Sequence, residues 1–224
     1  MAGGTWSDRV IAVLDYGIGN LASAAKALRA LDVESVLTPD PEQAAAASGI
    51  VVPGVGSFGP ALRELRSRGF DEVIVDAIGR SRPVLGICVG LQLLYEGSEE
   101  DPGVAGLGVL PGVVRALPEG AKRPQMQWNR LRACPGRSRE LARTGLGEAD
   151  WVYFVHSFSP PVGEETVAVC DYGGDVAALV VRDRLWATQF HPEKSGRTGL
   201  RLLGAFASMA EGQPTEPEAS GTCS

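Results

Sequence analysis

The sequence predicts an α/β domain with a mixed central sheet flanked by helices and a small antiparallel annex. Three observations lead there. Up to about residue 97, short apolar runs alternate with segments of helical spacing, the mark of repeated βα units and hence of a parallel sheet. Beyond residue 107 a succession of strand-like runs separated by short polar turns takes over. A final helical segment, "GLRLLGAFASMA" at 199–210, then closes the ordered chain.

The elements follow in order. "RVIAVLD" (9–15) reads as a buried strand, and "NLASAAKALRAL" (20–31) carries apolar residues at helical spacing among good helix formers. "VESVLT" (33–38) is a second strand, and "GIVVPGVG" (49–56) a third that ends in glycines. "PALRELRSRG" (60–69) is helical with a glycine stop. "RPVLGIC" (82–88) is a fourth strand, with "GLQLLYEG" turning into helix behind it. The later strands are "GVLPGVVRAL", "PQMQWNRLRA", "DWVYFVHSF", "ETVAVCDYG", "VAALVVRD" and "RLWATQFHP".

With 224 residues the chain suits one substantial domain, placed at 9–210, with flexible termini at 1–8 and 211–224. The tail "EGQPTEPEASGTCS" lacks the large apolar residues that ordering requires. A formal charge of −6 argues against a general grip on nucleic acid or an anionic membrane surface. No apolar run approaches the roughly 20 residues that span a bilayer. "MAGGTWSDRV" has neither the basic nor the apolar region of a signal peptide, so a cytoplasmic location is expected. Cys88, Cys134, Cys170 and Cys223 are scattered without metal spacing, so free thiols are expected, with no metal and no cofactor.

Cys88 ends a strand that reads as buried and parallel, and sites in open α/β sheets lie at the carboxyl ends of strands. Gly86 and Gly90 permit the sharp turn of a nucleophile elbow, G-x-C-x-G in place of G-x-S-x-G. A following helix would favour thiolate. From the pentapeptide alone, a small hydrophobe in a core is an equal reading.

Only two histidines exist, which limits any imidazole mechanism to His156 and His191. His191, in "LWATQFHPEKSG", follows an apolar strand, and Pro192 favours extended backbone at the residue before it. Residues i and i+2 of an extended segment point the same way, so Glu193 can orient the imidazole and stabilise its cation. His156, in "YFVHSF", is the competing base and has no carboxylate nearby in sequence. The glycines of "VVPGVGSFG" (51–59) let N–H groups approach a ligand, as an oxyanion hole requires, although a plain βα turn has the same composition. "DYGIGNLA" matches the G-x-G-x-x-A of dinucleotide sites, but no clear acid ends the second strand. A structural or interface role ranks above nucleotide binding there.

Taken together, "GICVGLQLL" and "QFHPEKSG" resemble the Cys-His-Glu triad of class I glutamine amidotransferases. "DYGIGNLAS", "VVPGVGSFG", "YFVHSF" and "QFHPEKSGRTGLRLLGAF" resemble, within that family, the amidotransferase subunits of imidazole glycerol phosphate synthases, over residues 9 to 210. The resemblance implies a flavodoxin-like domain in which Cys88 attacks the side-chain amide of L-glutamine. It implies that His191 protonates the departing ammonia and that Glu193 orients His191. Gly54, Val55, Gly56 and Val89 would form the oxyanion region, with Gln92, Ser157 and Phe158 holding the glutamine. The implied partner is a (β/α)8-barrel cyclase of histidine biosynthesis, in a heterodimer, which receives the ammonia. Trp128, Asn129, Tyr153 and Lys194 would face that partner. On their residue types alone, Trp128 also suits a core, Tyr153 a strand and Lys194 a solvated surface. Two positions depart from the family: Gln127 stands where glycine is usual, and Phe158 where tyrosine is common.

Three rivals remain at this stage. One is an amidotransferase subunit serving a different synthase, another a cysteine hydrolase acting alone, and a third a catalytically silent scaffold.

Overall fold

The computed structural model of the chain describes residues 9–213. Of the termini expected to be flexible, 1–8 and 211–224, residues 1–8 and 214–224 lie outside the described residues, as does Cys223.

The first half is a run of βα units. It comprises β1 (Ile11–Leu14), α1 (Leu21–Arg29), β2 (Ser35–Thr38), α2 (Pro41–Ala46), β3 (Gly49–Gly54), α3 (Phe58–Ser67), α4 (Phe70–Gly79), β4 (Val84–Cys88) and the single turn α5 (Val89–Gln92). The second half supplies β5 (Gly97–Ser98), β6 (Val113–Ala116), β7 (Gln125–Arg130), β8 (Arg132–Ala133), α6 (Ser138–Arg143), β9 (Trp151–His156) and β10 (Phe158–Ser159). It ends with β11 (Thr166–Asp171), β12 (Asp175–Arg182), β13 (Leu185–Thr188) and α7 (Gly196–Ala210).

Eight strands form the central sheet in the order β2-β1-β3-β4-β13-β12-β11-β8. The pairs from β2 to β13 are parallel, and those from β13 to β8 antiparallel, so the sheet is mixed as the change of character after residue 107 predicts. Every residue of β1, β3 and β4 is buried, the pattern of parallel strands covered on both faces. Helix α7 packs on α1, and α4 packs on α2 and α3. Trp186 of β13 meets Phe206 of α7 with ring centroids 6.2 Å apart, joining sheet to helix in the core.

Two small sheets form the annex: β10-β6-β5, and the antiparallel pair β7-β9. Along β9 the sequence WVYFVH alternates, with Val152, Phe154 and His156 buried and the residues between them more open. This is the two-residue period of a strand with one face on the core.

The sequence leaves three helices unassigned: α2, α4 and α6. The start of α2 is locally coded, since Pro41 opens the helix and the Asp40 side chain accepts the Glu42 N–H at 2.9 Å. Helix α4 buries Phe70, Ile74 and Ala77, a four-and-seven spacing that carries a helical signal. In the opposite sense, "GLQLLYEG" adds only Gly90–Gln92 to the single turn α5, with Leu93 as its cap.

Candidate active site

The carboxyl ends of β3, β4 and β13 converge, and a cavity of ≈ 250 Å³ opens there, lined by Val55, Gly56, Cys88, Val89, Gln92, Glu100, Pro124, Val155, His156, Ser157, Phe158 and His191. Parallel pairing sets Gly54 of β3 opposite Cys88 of β4, which brings the glycine-rich loop beside the sulfur.

Cys88 has φ +54° and ψ −108°, a conformation L-residues rarely adopt. Such strain costs about 1–3 kcal/mol and persists only where the surroundings enforce it. Here the enforcement is close backbone packing. A Cβ at Gly90 would lie 2.0 Å from Val52 O, and one at Gly54 would lie 2.6 Å from Gly90 N. The thiol is nearly enclosed and donates weakly to Val155 O at 3.9 Å.

His191 follows β13 by three residues and is held from both sides. Its N–H donates to Tyr153 O at 3.0 Å, its carbonyl accepts Ser195 Oγ at 2.7 Å, and Ser195 Oγ in turn accepts the Tyr153 N–H at 3.0 Å. Its backbone is extended, but Pro192–Lys194 then turn as a short 3-10 helix. Glu193 therefore reaches the ring from a turn, not along a continuing strand. Nδ1 donates to Glu193 Oε1 at 2.8 Å. Asn20, just ahead of α1, donates from Nδ2 to the same oxygen at 3.4 Å.

Burial alone would lower the pKa of His191, but the neighbouring Cys88 sulfur and the Glu193 carboxylate outweigh it and raise it to about 9. The Nε2 end is buried without a well-formed hydrogen bond, on the side where the sulfur lies near enough to act on the ring.

His156 is buried as well, but its ring meets no carboxylate among the described residues. Its Nδ1 meets Phe158 O at 2.9 Å, and burial, then the neighbouring His191, lower its pKa to about 4 against that hydrogen bond. The structure thus gives a carboxylate to one histidine and a carbonyl to the other. Phe158 O also accepts Gln92 Nε2 at 2.9 Å, so both of its lone pairs are in use.

Residues 12–207 match the family model for class I glutamine amidotransferases. The chain belongs to the class I glutamine amidotransferase family. It is 43% identical over 205 residues to the imidazole glycerol phosphate synthase subunit HisH of Dehalococcoides mccartyi (strain CBDB1), covering 91% of this chain and 98% of that one. The HisH subunit of Synechococcus sp. (strain JA-3-3Ab) is 47% identical over 201 residues, covering 88% and 92%. Among solved structures, a glutamine amidotransferase superposes with TM-score 0.69 at 21% identity, covering 90% of this chain and 98% of that one. PurLQS from Thermotoga maritima superposes with TM-score 0.64 at 19% identity, covering 89% and 98%. At those identities the structures speak to the fold.

In this amidotransferase, the residues singled out from sequence fall into two groups. Cys88, His191, Val55, Gly56, Val89, Gln92, Ser157 and Phe158 line one cavity, with Gly54 and Glu193 directly behind it. Trp128, Asn129, Tyr153 and Lys194 lie outside the cavity. Trp128 pairs with Tyr153 across β7-β9, their rings edge to face at 6.0 Å, and Asn129 Nδ2 donates to Asp171 O at 2.8 Å. Lys194 is exposed on the 3-10 turn. Gln127 is exposed and keeps regular strand pairing with Phe154.

Four neighbours of the site escape sequence reasoning. Glu100 is the one carboxylate among the described residues lining the cavity, and its Oε2 accepts the Phe58 N–H at 2.8 Å at the start of α3. In "GSEEDP" it reads as a solvated turn. Gln189, Asn20 and Ser195 touch Cys88, Glu193 and His191 respectively. Asn20 belongs to the segment that mimics a dinucleotide fingerprint, and here that segment packs behind the Glu193 carboxylate.

Among the described residues, no helix is long and apolar enough to cross a membrane, and no three His, Cys, Asp or Glu cluster as a metal site.

Proposed function

We propose that this chain is the glutaminase subunit of an imidazole glycerol phosphate synthase, with Cys88, His191 and Glu193 as its catalytic residues. The observation that carries the reading is the 2.8 Å His191–Glu193 hydrogen bond beside a strained cysteine at the floor of one cavity. The HisH relatives, matched over nearly their whole length, support the choice of synthase.

The Cys88 thiolate attacks the amide carbon of L-glutamine. The oxyanion is held by N–H groups at Val89 and in the Gly54–Val55–Gly56 loop, aligned when the enzyme is active. His191, already carrying a proton, gives it to the departing amine as ammonia forms. It then takes a proton from water, which hydrolyses the γ-glutamyl thioester to glutamate. Glu193 keeps Nε2 toward the sulfur and stabilises the imidazolium. Glu100 is the counter-charge for the α-ammonium of the substrate. Because Phe158 O is saturated, any hold of Phe158 on glutamine runs through its N–H or its ring.

The ammonia passes to a (β/α)8-barrel cyclase, which joins it to a ribulosyl nucleotide and makes imidazole glycerol phosphate and aminoimidazole carboxamide ribotide. Met126, Trp128 and Trp151 are 65%, 47% and 52% exposed. Strand pairing sets Met126 opposite Val155, which lines the cavity, so this apolar face runs from the mouth of the site outward. Trp128 and Tyr153 lie on that face and meet the cyclase, whereas Asn129 points to the opposite face of β7 and Lys194 sits on the 3-10 turn, so their part in the interface rests on the family resemblance.

The test is glutamate release from L-glutamine by the chain alone, with the cyclase, and with the cyclase and its nucleotide ligand. Strong stimulation by cyclase and ligand together supports the assignment. Release indifferent to the cyclase moves the chain to another synthase or to a free-standing hydrolase.

A further inference from the structure

Gln189 is fully enclosed, and both ends of its amide are spent on the site. It follows β13 directly, where Thr188 is in register with Ile87, so its side chain arrives next to Cys88. Its Nε2 donates to Cys88 Sγ at 3.6 Å, and its Oε1 accepts Gln92 Nε2 at 3.1 Å. A primary amide in a core is costly unless hydrogen-bonded, and a methionine would fill a similar volume without that cost. The amide is therefore explained by its partners, and one of them is the sulfur. A thiol is a weak acceptor, whereas a thiolate is a strong one, because the bond becomes charge-assisted.

We propose that Gln189 is a standing donor to the Cys88 thiolate, distinct from His191, and that the same amide fixes the orientation of Gln92. The inference rests on Cys88 being the nucleophile. The two donors differ in kind. His191 gives up its proton when ammonia leaves and regains one only from the hydrolytic water, so its hydrogen bond to the sulfur comes and goes. The Gln189 N–H cannot be lost, so it remains when the thioester breaks and sulfur leaves as thiolate.

The experiment is alkylation of the full-length chain by iodoacetamide across a pH series, with modification at Cys88 and Cys134 followed by peptide mass. In the unmodified protein Cys88 is expected to react at lower pH than Cys134. Gln189→Met is expected to raise the Cys88 midpoint by about one pH unit, roughly tenfold slower reaction below the midpoint, with the Cys134 profile unchanged. Gln189→Glu keeps the shape but replaces the donor with an acceptor, raises the midpoint further, and serves if the methionine variant unfolds. An unchanged Cys88 midpoint in either folded variant overturns the inference. A wild-type Cys88 no more reactive than Cys134 removes the nucleophile itself and this inference with it, and that result is read before any variant is made.

Discussion

His191 Nδ1 donates to Glu193 Oε1 over 2.8 Å, and the two side chains are only 1% and 3% exposed. Enclosure makes the pair matter. In water an ion pair of this kind is worth little, but here solvent screening is removed and the imidazolium is held with a pKa of about 9. Glu193→Gln preserves shape and removes the charge. We expect glutamine-dependent turnover to fall by about 10⁴-fold, in the range seen when an orienting carboxylate is neutralised. Synthesis from added ammonia by the assembled enzyme should be untouched. A loss below about tenfold, which is roughly 1.4 kcal/mol in the barrier, would sink the role assigned to Glu193.

Cys88→Ala should abolish glutamine use while leaving ammonia-dependent synthesis intact, and assays with both nitrogen sources check this. Loss of both activities would indicate a structural defect instead. Cys88→Gly adds a stability test. Glycine accepts φ +54° without strain, so it should be more stable than the alanine variant by about 1 kcal/mol, or roughly 2–4 °C in Tm. Equal Tm values would show that the elbow stores no such strain.

The two histidines should give stability opposite pH dependences. His191 has a folded pKa raised from 6.5 to about 9, so its contribution is full below about pH 6.5 and is lost as pH rises through about 9. His156 has a folded pKa lowered from 6.5 to about 4, so its contribution is present above about pH 6.5 and lost as pH falls through about 4. That acid limb amounts to roughly 3 kcal/mol. Because the chain has only two histidines, an NMR titration resolves both. In Cys88→Ala the His191 pKa should drop, since the sulfur is one of the two groups that raise it. A titration in which the two rings share one midpoint would contradict the assignment.

Gly90 and Gly56 should respond differently to alanine. At Gly90 the new Cβ would meet Val52 O at 2.0 Å, a backbone clash that no side-chain rotation relieves. At Gly56, with φ +83°, nothing lies within 4 Å, so only the left-handed penalty of about 1–2 kcal/mol applies. Thermal unfolding should show Gly90→Ala destabilised by about 3 kcal/mol or more, in the exceptional range for a point change. Similar losses at both positions would mean that the elbow and β3 can separate cheaply.

The mixed sheet was legible because parallel strands buried on both faces leave continuous apolar runs, as in "IAVL" and "VLGIC". Helices α2 and α6 were not, since six residues carry too little periodicity to stand out. Helix α4 does carry a helical spacing, in Phe70, Ile74 and Ala77. The Cys88, His191 and Glu193 positions could be singled out because each carries reactive chemistry in a marked local setting, an elbow or a proline turn. Glu100 and Gln189 carry no such mark: one sits in an acidic turn and the other in an apolar strand end.

What the sequence determined by itself is local: which runs become strands, which glycines allow a turn, and which side chains can transfer a proton or attack a carbonyl. Tertiary structure decided who meets whom. Gln189 reaches Cys88 across 101 residues, Asn20 reaches Glu193 across 173, and His191, not His156, receives the carboxylate. Such meetings depend on the order of strands and the packing between them. Chain segments far apart in sequence are joined by the burial of their apolar faces, which no local propensity encodes. The same packing holds Cys88 in a backbone conformation that its own side chain opposes.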